Sequence, residues 1–292
     1  MSKEGFVEVE GGRIWYQING GTDAPPLVVL HGGPGSAHNA MEGLQVMQDE
    51  RPVIFYDQLG CGNSDRPTDA SLWRIDRFVR ELHELRRALH LEQVHLLGHS
   101  WGTMLLADYL LTKPEGVVSA IFSSPCLSAH MWMEDANRLK LELPDDVQRV
   151  LAECEANGTT DSPAYRKAER EYMKRFVCRV EIPEEERKKR AEQFGELVYN
   201  TMWGPSEFCA TGNLKDFDRT DQLHEISVPS LFCCGAHDEA TPESTKYYHA
   251  CMPDSQFHVF DNCSHSPLRE DKDEYIRVVR DFINNVEQAA AK

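Results

Sequence analysis

The chain has 292 residues, 41% of them hydrophobic and 27% charged, with a formal net charge of −17. That length suits one large domain, or a core that carries an inserted subdomain. The acid excess disfavours nucleic acid, whose phosphates need a basic face, and an anionic membrane surface, which repels it.

The first residues, Met1-Ser2-Lys3-Glu4-Gly5, lack the apolar core of a signal peptide. No stretch reaches the roughly 18 consecutive apolar residues of a membrane span. The nine cysteines are scattered and none forms a CxxC pair. Reduced thiols and a cytoplasmic location are therefore expected.

Residues 6–18 read as a hairpin turning at Gly11-Gly12. Pro26-Leu27-Val28-Val29-Leu30 is a continuous apolar run, as in a strand buried on both faces of a parallel sheet, and it ends at His31-Gly32-Gly33-Pro34-Gly35. Val53-Ile54-Phe55-Tyr56 repeats the pattern and ends at Asp57. Residues 74–91 have helical periodicity, with Phe78, Leu82, Leu85 and Leu89 on one face. Further strands are expected at 94–97 and 117–122, with a helix at 104–111 between them. Alternating strands and helices predict an α/β fold, a mostly parallel sheet flanked by helices.

That rhythm stops near residue 126. Residues 128–224 are helix-like and highly charged, as in Pro183-Glu184-Glu185-Glu186-Arg187-Lys188-Lys189-Arg190, which reads as a solvated face. Strand patterns return at 226–235 and 256–260, before a last helix at 271–286. The expected organisation is a core over residues 1–125 and 226–292, with a helical lid inserted at 126–225.

Gly98-His99-Ser100-Trp101-Gly102 matches G-x-S-x-G between a strand and a helix, the context that a nucleophile elbow requires. The sharp turn exposes the Ser100 hydroxyl, and close strand–helix packing leaves room only for small residues at 98 and 102. Serine needs a base to take its proton, and the base needs an acid to hold it in one tautomer. In this fold the chain order is serine, acid, histidine. Asp238 follows the strand ending near Cys234, and His265 lies in the loop after Phe260. Asp261, in that same loop, is the rival acid. The tetrahedral oxyanion needs two donors: the Trp101 backbone N–H, and a group from the His31–Gly35 loop, for which Gly33 is the choice. The loop Asp57-Gln58-Leu59-Gly60-Cys61-Gly62-Asn63-Ser64-Asp65 reads as a structural turn lining the site. Cys263 lies two residues before His265, so a bulky thiol reagent there is expected to displace the base.

Taken together, the loops at 31–35, 57–65 and 98–102 resemble the motifs of the proline iminopeptidases, a family that includes tricorn-interacting aminopeptidases and amino-acid amidases. The likeness runs almost end to end. It implies an α/β-hydrolase core with a helical lid, no metal or other cofactor, and removal of an amino-terminal residue, often proline, from short peptides. Thr103 departs from the family, many of whose members carry a glycine there. The resemblance also implies two glutamates that hold the substrate amine: Glu207 in Gly204-Pro205-Ser206-Glu207-Phe208, and Glu239 directly after Asp238. A buried ammonium loses its hydration, and carboxylates can replace it.

The expected function is therefore a serine aminopeptidase, a prolyl aminopeptidase working through an acyl-enzyme. Its partner is a short peptide or aminoacyl amide with a free amino terminus. An amino-acid amidase or carboxylesterase on the same triad is the alternative, followed by a non-catalytic binding protein on this fold.

Overall fold

The computed structural model describes residues 2–291. Eight strands form one sheet: β1 (Ser2–Val9), β2 (Gly12–Asn19), β3 (Leu27–Leu30), β4 (Val53–Tyr56), β5 (Val94–His99), β6 (Val117–Ser123), β7 (Ser230–Gly235) and β8 (Ser255–Phe260). Their order is β1-β2-β4-β3-β5-β6-β7-β8. β1 and β2 form the expected hairpin and run antiparallel, as do β2 and β4. Every later neighbour is parallel.

β3, β4, β5 and β7 are buried along almost their whole length, and mostly apolar, because helices cover both faces. The period of two then splits each strand between two cores. Val28, Leu30, Ile54, Leu96 and Phe122 pack towards α1 (Ile75–Ala88) and α2 (Trp101–Leu111). On the opposite face, Leu27, Val29, Phe55, Leu97 and Ile121 join Phe282 and Ile283 of the last helix.

Between β6 and β7 lie α3 (Ala129–Lys140), α4 (Asp145–Asn157), α5 (Pro163–Tyr172), α6 (Glu184–Gln193) and α7 (Glu196–Met202). A π-helical turn, Met173–Val177, follows α5 directly. Aromatic side chains consolidate this segment: Trp132, Tyr165, Tyr172, Trp203 and Phe208 are all buried. α6, the acidic and basic run at 184–190, buries nothing, as its composition predicted.

Three helices complete the chain: α8 (Pro242–Cys251), α9 (Pro267–Glu270) and α10 (Lys272–Ala290). α8 was missed in the sequence, although Thr241 caps it by accepting from Ser244 N at 3.2 Å and Pro242 opens it. Among the described residues, no helix is long and apolar enough to cross a membrane.

The first strand–helix units run outward from β3 to β4, then return to β5 on the other side of β3. Chain order reverses between β3 and β5, so the loops after these strands diverge and leave a crevice at their carboxyl ends. The loops after β6, β7 and β8 open at the same end.

Candidate active site

Ser100 stands between β5 and α2 with φ 55° and ψ −124°, a conformation that L side chains rarely adopt. Its neighbours explain how the turn is held. A Cβ on Gly98 would lie 2.4 Å from the Gly102 carbonyl oxygen, and a Cβ on Gly102 would lie 2.2 Å from the Leu30 carbonyl oxygen. Both positions therefore require glycine. Thr103 is buried and ties the elbow to the loop after β6: its hydroxyl donates to Ser100 O at 2.6 Å and accepts from Cys126 N at 3.0 Å. The departure from the family's glycine is thus built into the local hydrogen bonding.

His265 Nδ1 and Asp238 Oδ1 are 2.7 Å apart, and both residues are buried. Asp238 is held by further donors. Ser124 Oγ donates to its Oδ2 at 2.6 Å, Gly235 N to the same oxygen at 3.2 Å, and Ala240 N to Oδ1 at 2.8 Å. Asp261, the rival acid, is exposed and makes no bond to His265. Ser100 and His265 line one cavity of about 470 Å³, without a direct hydrogen bond between them. Catalytic contacts of this kind commonly tighten only when substrate arrives.

Ser124 went unrecognised in the sequence. It follows β6, has φ 49°, and donates its hydroxyl to Asp238. A lone serine in Ser123-Ser124-Pro125 carries no local signal of that role.

The π-helical turn also reaches the site. The Phe176 carbonyl accepts from Glu239 N at 3.3 Å and from His265 N at 3.1 Å. One carbonyl of the segment between β6 and β7 therefore fastens both loops that carry the acid and the base.

The loop after β3 lies against the elbow. Gly33 has φ 116°, and a Cβ there would sit 2.5 Å from Gly35 N, so the loop needs glycine at this point. Gln58 braces it. Its amide donates to His31 O at 3.2 Å and its oxygen accepts from the Trp101 indole at 2.8 Å. Asp57 accepts from His38 N and Asn63 N, both at 2.8 Å. The 57–65 loop is thus the structural turn expected of it. Trp101 is the first residue of α2, where backbone N–H groups have no partner within the helix.

Glu207 comes from the segment between β6 and β7, and Glu239 from the loop after β7. Glu239 is 1% exposed; the buried Tyr172 hydroxyl is its neighbour, but no donor among the described residues meets hydrogen-bond geometry with either carboxylate oxygen. Its Oε1 lies 3.9 Å from His265 Nε2. Glu207 accepts from the Tyr199 hydroxyl at 3.0 Å, and its backbone carbonyl accepts from the Trp132 and Trp203 indoles at 2.9 and 3.3 Å. Burial raises the pKa of both carboxyl groups, and for Glu239 the neighbouring Glu207 adds to the effect. Burial also resists charge on His265, but Asp238, Glu239 and Glu207 outweigh it and raise its pKa to about 9.

A narrow recess opens beside Ser100, lined by Pro34, Met104, Cys126, Trp132 and Trp203. Trp132 also packs edge-on against the His265 ring, with centroids 5.6 Å apart. The expectation for Cys263 changes here. It is 1% exposed, and burial pushes its thiol up to about 12, so a bulky reagent cannot reach it. Cys126 is the cysteine that lines the recess.

Comparison with known proteins agrees with this geometry. Residues 25–272 match the alpha/beta hydrolase fold family. A proline iminopeptidase from Heyndrickxia coagulans is 53% identical over 98% of this chain and 100% of the relative. One from Lactobacillus acidophilus is 39% identical over 96% of this chain and 98% of its own. The crystal structure of a proline iminopeptidase from Mycobacterium smegmatis superposes with a TM-score of 0.90 at 37% identity, covering 99% of this chain and 100% of that one. With the sheet, the elbow and these full-length similarities in agreement, the chain belongs to the proline iminopeptidase family of α/β hydrolases.

Proposed function

We propose that this protein is a prolyl aminopeptidase that releases an amino-terminal residue from short peptides or aminoacyl amides through an acyl-enzyme. Ser100 Oγ attacks the scissile carbonyl while His265 Nε2 takes its proton. Asp238 holds Nδ1–H and stabilises the imidazolium. The N–H groups of Trp101 and Gly33 receive the oxyanion. His265 then protonates the departing amine, and water repeats the sequence to free the amino acid. No metal is needed for any of these steps. Residues 126–225 act as the lid, carrying Glu207 over the cavity.

The observation that carries this reading is the buried Glu239 carboxylate, unpartnered and 3.9 Å from the candidate base. An unsatisfied buried carboxylate is costly, and a substrate ammonium would satisfy it. Anchoring the amine there fixes the distance to Ser100, so that only the first residue is cut. The side chains of Pro34, Met104, Cys126, Trp132 and Trp203 adjoin Ser100 on the side where the first residue of the substrate would lie. The free thiols of all nine cysteines suit a reducing cytoplasm.

The test compares prolyl 4-nitroanilide with its N-acetyl form, on wild type and Glu207→Gln. Hydrolysis of the free amine, near-complete loss on acetylation, and a raised KM in Glu207→Gln are expected. Comparable rates on the acetylated substrate would instead identify a plain esterase or amidase.

A further inference from the structure

A second cavity, of about 580 Å³, adjoins the first and shares Met173, Val177, Arg190 and Ser266 with it. The π-helical turn at Met173–Val177 forms the wall between the two. Five cationic side chains line the second cavity: Arg170, Lys174, Arg179, Arg187 and Arg190. Glu181 is its one acidic lining residue. In a chain with a net charge of −17 this concentration of positive charge is out of proportion.

The cations are also largely uncommitted. Lys174 pairs with Glu171 at 3.0 Å and Arg190 with Glu186 at 2.7 Å. Arg170, Arg179 and Arg187 have no side-chain hydrogen bond or ion pair among the described residues. Here three arginines leave their donors free around one concave space, next to the space that holds Ser100 and His265.

The two cavities therefore differ in their balance of charge. The first carries Glu169, Glu196 and Glu207 beside Arg166 and the shared Arg190, with Glu239 3.9 Å from His265 Nε2; the second is lined by four arginines and a lysine against one glutamate. A peptide at neutral pH is a dipole with the matching polarity, an ammonium at its first residue and a carboxylate at its last. We propose that the second cavity seats the carboxylates of the leaving peptide, so that the enzyme prefers substrates whose portion beyond the scissile bond is anionic. This specificity rests on the aminopeptidase reading above and extends it to the residues after the cut. Arg179 and Arg187 are its determinants. The carboxylate can come from the peptide's own carboxyl terminus or from acidic side chains just after the cleaved bond.

The experiment measures kcat/KM of the full-length protein on Pro-Gln-Gln-NH2, Pro-Gln-Gln-OH and Pro-Glu-Glu-NH2, with prolyl 4-nitroanilide as the substrate that lacks a leaving peptide. The wild type is expected to favour at least one anionic peptide over the neutral one by about fivefold, the size that two partly exposed charge contacts supply. Which anionic peptide is favoured identifies the source of the carboxylate. In Arg179→Gln/Arg187→Gln the preference should fall below about twofold while the anilide rate is unchanged. Raising the salt should erode the wild-type preference in the same direction, a readout that needs no variant. Equal rates on the three peptides overturn the proposal, as does a preference that survives both substitutions and salt. Failure of the wild type to hydrolyse the anilide would overturn the aminopeptidase reading itself, a distinct result.

Discussion

His265 sits where three carboxylates converge, and that sets the chemistry of single residues here. Burial disfavours its charge, yet Asp238, Glu239 and Glu207 together raise its pKa to about 9. A base protonated at neutral pH cannot take the Ser100 proton. In the proposed mechanism the substrate ammonium, entering beside Glu207 and Glu239, offsets part of that negative charge and lowers the proton affinity of His265. Binding of the amine and activation of the base are then one event. Replacing Glu239 by Gln removes a carboxylate that raises the His265 pKa, so the acid limb of kcat/KM should move to lower pH while KM for the free amine rises. An acid limb that stays in place would show that Glu239 does not act on the base. Ser124 and Tyr199 belong to the same scale. Each holds one carboxylate through a single hydroxyl, and neither is marked in the sequence by more than its residue type.

At the scale of elements, the junction of β5 and α2 has the least freedom. Gly102 lies so close to β3 that a methyl group would meet the Leu30 carbonyl oxygen at 2.2 Å, a backbone atom that cannot swing aside. Gly102→Ala should therefore push α2 off the sheet. The expected cost is about 1–3 kcal/mol in thermal unfolding, with hydrolysis reduced as the elbow shifts. A melting temperature equal to wild type would mean that the junction has slack. This element was readable in advance, because strand, turn and helix follow one another within a few residues. α8 was not read, since it buries Ser244, Thr245 and Tyr248 and lacks a clean apolar stripe. Its Thr-Pro start was the available sign.

Across the whole molecule, the last helix is tied to the start of the central strands, at the end of the sheet opposite the site. Arg51, 2% exposed, meets Glu287 of α10 at 2.8 and 3.1 Å, and His95 Nε2 lies 3.1 Å from the same carboxylate. Arg51→Met should lower the melting temperature by removing about 1–3 kcal/mol of charge-assisted hydrogen bonding, with prolyl anilide hydrolysis unchanged at low temperature. A matching loss of activity at low temperature would show that this cluster also shapes the site. Above it, the carboxyl ends of β3, β5, β6, β7 and β8 bring residues 33, 100, 124, 238 and 265 to one edge of one sheet.

Chain order alone sufficed to read the α/β architecture and the strand–turn–helix at Ser100, and to single out Asp238 and His265, which the structure brings within 2.7 Å of each other. These depend on periodicity, glycine spacing and position after a strand, all of which are local. Glu207 and Glu239 needed the family resemblance, because a glutamate in an acidic chain carries no local mark. The Ser124–Asp238 bond, the Phe176 carbonyl that fastens both the Glu239 and His265 loops, and the arginine-lined cavity became visible only in three dimensions. Each joins residues far apart in the chain, and the sheet topology decides which distant loops meet. The run at 184–190 makes the difference plain. Its composition announced a solvated helix, and it is one, but only its placement beside the π-helical turn aims Arg187 and Arg190 at the space where a leaving peptide would go.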